Sequence, residues 1–307
     1  MIRFGVDLGG TKIELIALDA SGGERYRQRL ATPQGSYPQT LRAIVKLVDD
    51  AEAVLGESGS VGIATPGAVS RAPAANAGRL KNANSTCLNG EALANDLELA
   101  LERRIRIDND ANCFALSEAT DGAAAGAAIV FGVILGTGTG GGICINGHIV
   151  TGANAIGGEW GHNPLPWPEA AELPGDPCYC GRRGCIETWL SGPGLAMHFF
   201  RATGRALSAP DIVANAADDK ACEAALLAYE DRLARSLATI INVIDPDVIV
   251  LGGGLSNVAR WYDSVPARWT KYVFSDHVAT RLVRPKFGDS SGARGAAWLW
   301  NKEDAQT

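Results

Sequence analysis

The chain opens with two apolar runs, IRFGVDL over 2–8 and KIELIALD over 12–19, parted by Gly9-Gly10. Short runs rich in branched side chains and broken by glycine predict two strands joined by a tight turn. Between 38 and 55 the period lengthens. Leu41, Ile44, Val45, Leu47, Val48, Ala51 and Val54 share one helical face, closed by Gly56. A strand at 61–64, a helix at 91–103, a strand at 104–108 and a helix opening at Asn109-Asp110 follow. Further on, Leu226, Leu227, Leu233, Leu237, Ile240, Ile241 and Ile244 mark a long amphipathic helix over 223–244, stopped by Asp245-Pro246. DVIVL at 247–251 reads as a strand entering Gly252-Gly253-Gly254, and GARGAAWLW as a short helix. Strands alternating with helices predict an α/β fold.

One pattern occurs twice. FGVDLGGT at 4–11 and FGVILGTG at 131–138 agree at Phe, Gly, Val, Leu and Gly with a constant offset, and the second copy also runs into an apolar strand, GGGICING. A strand–glycine turn–strand at the head of each half predicts two related domains. No low-complexity linker separates the halves, so a shared cleft and a hinge are expected.

Composition narrows the function. A length of 307 residues suits two domains. The net charge is -6 and no basic run stands out, which argues against nucleic acid or an anionic membrane as the main partner. The start lacks a charged n-region with an apolar core, so a cytoplasmic protein is expected. From Gly122 to Gly158 there is no Asp, Glu, Lys or Arg. Glycines, threonines and asparagines break every apolar run there well short of the ~20 residues a membrane span needs.

That uncharged stretch suits an anion. Three glycine turns follow apolar strands: Gly9-Gly10-Thr11-Lys12, Gly136-Thr137-Gly138-Thr139-Gly140 and Gly252-Gly253-Gly254. Glycine lets backbone N–H groups approach a phosphate, and threonine adds hydroxyl donors. None has the Walker spacing, and a strand rather than a helix follows the first two, unlike a dinucleotide fingerprint. Hairpin turns are the plain alternative; three turns of this composition favour nucleotide binding. Asp7, just before the first turn, could hold Mg²⁺ through water or cap the turn. In RIRIDNDANC, Asn109 and Asp110 stand where a strand gives way to a helix, which suits an N-cap. It equally suits a general base, Asp110, with Asn109 beside it on the same polyol.

Of seven cysteines, Cys87, Cys113, Cys144 and Cys222 are scattered and read as small buried hydrophobes. Cys178, Cys180 and Cys185 crowd into CYCGRRGCIE. Disulfides fail on count, because three cysteines cannot all pair, and on compartment, because the cytoplasm keeps thiols reduced. With His162 at the end of GGEWGH they make a Cys₃His set for structural zinc, closed to catalysis, beside Glu159 and Glu187.

Together, DLGGTK at 7–12, DNDANC at 108–113, LGTGTGGG at 135–142, GEWGH at 158–162, CYCGRRGCIE at 178–187 and LGGG at 251–254 resemble the ROK sugar kinases of the actin-like ATPase superfamily. The resemblance spans nearly the whole chain, in family order. It implies an α/β fold of two actin-like (ribonuclease H-like) domains with mixed sheets around an interdomain cleft. The smaller N-terminal domain would be 1–118 plus 290–307, the larger C-terminal one 119–289 with the zinc loop. It further implies Asp110 as the base for the sugar 6-hydroxyl, and Asn109, Glu159, His162 and Glu187 as sugar contacts. ATP would lie on Asp7, Gly9, Gly10, Thr11, Lys12, Gly136, Thr137, Gly138 and Thr139, with Gly253 and Gly254 near the adenosine. The cofactors implied are ATP, Mg²⁺ and structural Zn²⁺, and the assembly a homodimer.

KNANSTCLNG at 81–90, GHNPLPW at 161–167 and GDSSGARGAAWLW at 288–300 resemble the bacterial fructokinase (manno/fructokinase) branch. That makes D-fructose, and also mannose, the expected substrate, with an N-acetylglucosamine kinase or glucokinase as the alternative. Asn82, Asn84 and Ser85 could read sugar hydroxyls or be ordinary loop residues; Asn84 is the one carried as a sugar contact. A sugar-responsive repressor is the reading from another class. It calls for an N-terminal helix-turn-helix, whereas the nucleotide-binding strand here begins at Ile2.

Overall fold

The structure, a computed structural model, describes residues 2–73 and 76–300; the end of the expected N-terminal domain, 301–307, lies outside them. The strands are β1 (Ile2–Leu8), β2 (Lys12–Leu18), β3 (Glu24–Ala31), β4 (Gly59–Thr65), β5 (Ala68–Val69), β6 (Leu80–Lys81) and β7 (Ile105–Asn109). After them come β8 (Ile129–Leu135), β9 (Thr139–Ile145), β10 (His148–Ile149), β11 (Val248–Gly252) and β12 (Arg281–Val283). The helices are α1 (Tyr37–Leu55), α2 (Leu93–Leu101), α3 (Asp110–Thr120), α4 (Glu187–Leu190) and α5 (Gly192–Thr203). They continue with α6 (Ala209–Asn215), α7 (Lys220–Ile244), α8 (Trp261–Trp269) and α9 (Ser291–Trp298).

The repeated octapeptide lands on equivalent strands. β1 is central in a sheet of order β3-β2-β1-β4-β7, antiparallel to β2 and parallel to β4. β8 is central in a sheet of order β10-β9-β8-β11-β12 and parallel to β11. Each sheet thus has its hairpin on one side of the central strand and two further strands on the other. The chain forms two compact units: residues 1–125, 142–157 and 286–307, and residues 126–141 and 158–285. The segments 119–125, 142–157 and 286–289, expected with the larger half, group with the first unit.

In the first unit, Phe4, Val6, Ile13 and Leu15 of the sheet bury against Ile44, Leu47 and Val48 of α1 and Leu93 and Leu97 of α2. Each such side chain contributes about 1.5–3 kcal/mol on burial. Gly56 ends α1 in the left-handed region at φ 70°. The helix α9 lies directly on the strands: a Cβ at Gly5 or Gly62 would come within 1.9 Å of the carbonyls of Ala293 or Ala296. The small residues of GARGAA therefore serve close backbone packing. β3 escaped the sequence pattern because ERYRQRLA is an edge strand with charged positions, where Arg27 and Arg29 pair with the buried Glu14 of β2. His148 sits in β10, and Asn146 and Gly147 make the turn before it, at φ 51° and 77°.

The second unit is built around α7. Tyr229 stacks on Trp261 with ring centroids 5.0 Å apart and donates to the Leu190 carbonyl at 2.7 Å, which anchors the end of α4. Arg232 lies over Trp189, which stacks on His198 at 4.0 Å. Arg235 pairs with the buried Glu172 at 2.9 Å. Burial pushes the Glu172 carboxyl up, but hydrogen bonds from Arg235 and Arg232 outweigh it and hold the pKa at about 2. No helix among the described residues is long and apolar enough to cross a membrane.

Candidate functional site

The first unit supplies a glycine turn and a carboxylate. β1 carries the half-buried Asp7 to its end, and the turn closes with Gly9 N donating to Lys12 O at 3.0 Å. Thr32 Oγ1 donates to Gly9 O at 2.7 Å, and Gln34 Nε2 to Gly10 O at 2.6 Å. Gly10 and Thr11 are exposed. At the end of β7, Asn109 caps α3, its Oδ1 accepting from Ala111 N at 2.8 Å and Asn112 N at 3.2 Å. Its Nδ2 donates to Gly67 O at 3.1 Å. Capping thus falls to Asn109, and Asp110 is the first residue of the helix, half-buried, where the N-terminal dipole favours a carboxylate. Asp108, one residue earlier, is pushed up by burial and pulled back by hydrogen bonds from Asn112 and the Asn109 amide.

The second unit gathers sequence motifs that lie far apart. Its glycine turn closes with Gly136 N donating to Gly138 O at 3.0 Å. The next amide, Thr139 N, donates to Glu187 Oε2 at 3.0 Å. A Cβ at Gly138 would stand 2.7 Å from that same oxygen, so the carboxylate sits directly against the turn. Trp160 Nε1 donates to Gly140 O at 2.8 Å, which draws GEWGH against the turn, with Glu159 half-buried before it. Gly253, at φ 77°, packs on the end of β8 at Leu135.

Glu187 is placed by the cysteine loop. Pro164 bridges to Cys185 and Pro177 to Arg183, while Ile186 N donates to Asn163 O at 2.8 Å, immediately before α4 begins at Glu187. His162, Cys178, Cys180 and Cys185 present ligand atoms all within 4.8 Å of one another. Cys178 Sγ lies 3.5 Å from His162 Nδ1, and Cys180 Sγ 3.6 Å from Cys185 Sγ. A tetrahedral zinc bonded at about 2.3 Å to sulfur and about 2.0 Å to nitrogen sets S···S edges of about 3.8 Å and N···S edges of about 3.5 Å. These two separations match such edges, so the four residues could hold such an ion, and the Cys180 and Cys185 sulfurs are far beyond disulfide length. Nε2 of His162 stands 2.9 Å from the Tyr179 hydroxyl. Burial, with the nearby Glu187 and Glu159 carboxylates, pushes Tyr179 up to about 12.

The ROK family profile matches residues 3–303. The chain belongs to the ROK family. An N-acetyl-D-glucosamine kinase of Yersinia pseudotuberculosis is 41% identical, over 96% of this chain and 98% of its own length. A ROK hexokinase from Thermus thermophilus is 28% identical, with a TM-score of 0.87 and full coverage of both chains. A ROK family glucokinase from Streptomyces griseus, solved in complex with glucose and AMPPNP, is 26% identical, with a TM-score of 0.76 over 97% of this chain and 99% of its own. These likenesses support sugar-kinase activity, and the fold is the two-domain actin-like one.

They do not support the fructokinase expectation for this ROK chain; the named relative favours the alternative, N-acetylglucosamine. The segments that suggested fructose have packing duties. GARGAAW forms α9 against the sheet. In NPLPW, the carbonyls of Pro166 and Trp167 accept from Arg235 at 3.1 and 2.6 Å. In NANSTCLN, Asn89 braces Ala83 at 2.8 and 2.9 Å.

The expected residues divide between the units. Asp7, Gly9, Gly10, Thr11, Lys12, Asn84, Asn109 and Asp110 belong to the first; Gly136 to Thr139, Glu159, His162, the three cysteines, Glu187, Gly253 and Gly254 belong to the second. Asn84 is exposed on a loop beside Gln34. Sequence reasoning missed Thr32, Gln34 and Tyr179. The first two brace the glycine turn from a loop that bears no motif, and Tyr179 read only as a spacer between ligands.

Proposed function

We propose that the chain transfers the γ-phosphoryl group of ATP to the 6-hydroxyl of N-acetyl-D-glucosamine. The observation that carries the sugar is the 41% identity to a kinase of that name across nearly the full length of both chains. The assignment of roles rests on the packing of GEWGH, CYCGRRGCIE and the second glycine turn around Glu187.

In this reading Asp110 accepts the proton of the sugar 6-hydroxyl as its oxygen attacks the γ-phosphorus, and ADP leaves. Asp110 later returns the proton to solvent. Phosphoryl transfer leaves the protein mainly the tasks of positioning and charge stabilisation. Gly9 to Lys12 and Gly136 to Thr139 receive the phosphates, and Gly253-Gly254 lies toward the adenosine. Asp7 would hold magnesium, which would supply charge neutralisation to the phosphates. Asn109, Glu159, His162 and Glu187 bind sugar hydroxyls. His162 has a nitrogen for each duty: Nδ1 faces the cysteines, and Nε2, now on the Tyr179 hydroxyl, faces the sugar. His162, Cys178, Cys180 and Cys185 would hold a structural zinc, which would fix the loop that ends at Glu187.

Sugar-dependent ADP release with Mg-ATP tests this. The kcat/KM should be highest for N-acetylglucosamine among that sugar, glucose, mannose and fructose. A higher value for fructose overturns the substrate; no release with any of them overturns the activity.

A further inference from the structure

The first unit contains a cavity of about 220 Å³ that meets the roles assigned above only at Gly10. Leu8, Pro33 and Leu88 give its lining apolar surface, and Gln34, Asn84 and Ser85 give it polar groups. Every side chain that lines it is uncharged. It therefore offers an anion no cation and an ammonium no carboxylate, and it suits a neutral group with both polar and apolar ends.

Its position is informative. Gly10 of the first glycine turn forms part of the wall. On another side, Asn84 follows Ala83, whose backbone nitrogen lies 2.7 Å from where a Cβ on Gly67 would stand. The carbonyl of Gly67 in turn accepts from Asn109, the neighbour of Asp110. The lining residue Asn84 is thus linked to the base's neighbour through the Gly67 loop.

The two amides are already oriented. Gln34 Nε2 donates to Gly10 O at 2.6 Å and Thr32 O at 3.2 Å, so Oε1 is the end that can accept from a ligand. Asn84 Oδ1 accepts from Ser85 N at 2.8 Å, so Nδ2 is the end that can donate. An acylamido group has one N–H for the first, one carbonyl for the second, and an alkyl end for Leu8, Pro33 and Leu88. A bare hydroxyl at the same carbon would leave the apolar wall and one amide without a partner.

We propose that this cavity is the acyl subsite of the sugar site, taking the 2-acylamido group of an N-acylhexosamine, with Gln34 and Asn84 determining specificity. The assignment rests on the sugar-kinase reading above. A volume of several waters also accommodates acyl chains longer than acetyl.

The test is the ratio of kcat/KM for N-acetylglucosamine to that for glucose, in the wild-type chain and in two variants. Gln34→Ala, at an exposed loop position, removes the acceptor; Cys87→Met extends a cavity-lining side chain into the space. Each should lower the ratio by about tenfold, and the wild-type chain should also turn over N-propanoylglucosamine. Ratios within twofold of wild type in both variants overturn the subsite. A wild-type chain that phosphorylates neither sugar, or that prefers glucose, overturns the functional reading itself.

Discussion

The two glycine turns share an octapeptide pattern and a place beside the central strand of their sheets, yet they are held in opposite ways. In the first unit neutral side chains, Thr32 and Gln34, donate to the turn carbonyls. In the second a carboxylate, Glu187, takes one of the turn amides. Phosphate binding draws on amides, so the first turn is braced through groups a phosphate does not need. The second is braced through one that it does. The supports differ in origin as well. Thr32 and Gln34 stand on a single local loop, whereas Glu187 depends on the Cys/His cluster just before it. One turn should therefore be locally robust, and the other sensitive to a metal and to whatever engages Glu187.

The largest effect should come from the chemistry assigned to the first unit alone. Asp110→Asn should lower kcat by about 10²–10⁴ while sugar affinity changes little, because the substitution keeps size and removes basicity. Single-turnover phosphorylation and equilibrium sugar binding separate the two. Near wild-type turnover breaks the division of labour, since the base would then lie elsewhere.

Metal removal should act on the second unit only. The purified chain should carry about one zinc, and chelation or Cys178→Ser should lower kcat/KM by about 10–100-fold. Hydrogen exchange should accelerate across the segment from Glu159 to Leu190 and at Thr139. Exchange at Gly9 to Lys12 should stay as it was. Equal loosening of both turns, or of neither, removes the distinction.

Much of this was legible in the sequence where one physical pattern governs a contiguous segment. The apolar period located β1, β2, α1 and α7 to within a few residues, because each buries one continuous face. Cys178, Cys180 and Cys185 announced a cluster with His162 that could hold a metal ion, because their spacing has few other uses. Asp110 stood out at a strand-to-helix junction, and the structure separates it from its capping neighbour Asn109. What stayed hidden depends on side chains that meet only after folding. Glu187 on the Thr139 amide, Gln34 near Asn84, and Tyr179 on His162 have no local signature. The fructose expectation drew on α9 and NPLPW, whose residues serve packing, and packing resembles specificity in a linear string.

The smallest effect is the most direct probe of the two braces. Thr32→Val is nearly isosteric and deletes only the hydroxyl that donates to Gly9 O. Losing one such bond costs about 1 kcal/mol, so the KM for ATP should rise about fivefold with kcat little changed. Glu187→Gln can still accept from Thr139 N, but through a neutral oxygen, where a charge-assisted bond is roughly twice as strong. Its brace on the turn weakens by about the same amount, while a negative charge beside the phosphates disappears. These two changes oppose each other for ATP, so the nucleotide KM should move less than for Thr32→Val, and the sugar KM should rise instead. The measurement is the pair of KM values for each variant. If Glu187→Gln raises the ATP KM more than the sugar KM, the carboxylate serves the nucleotide turn first, and the contrast between a neutral and an acidic brace loses its functional meaning.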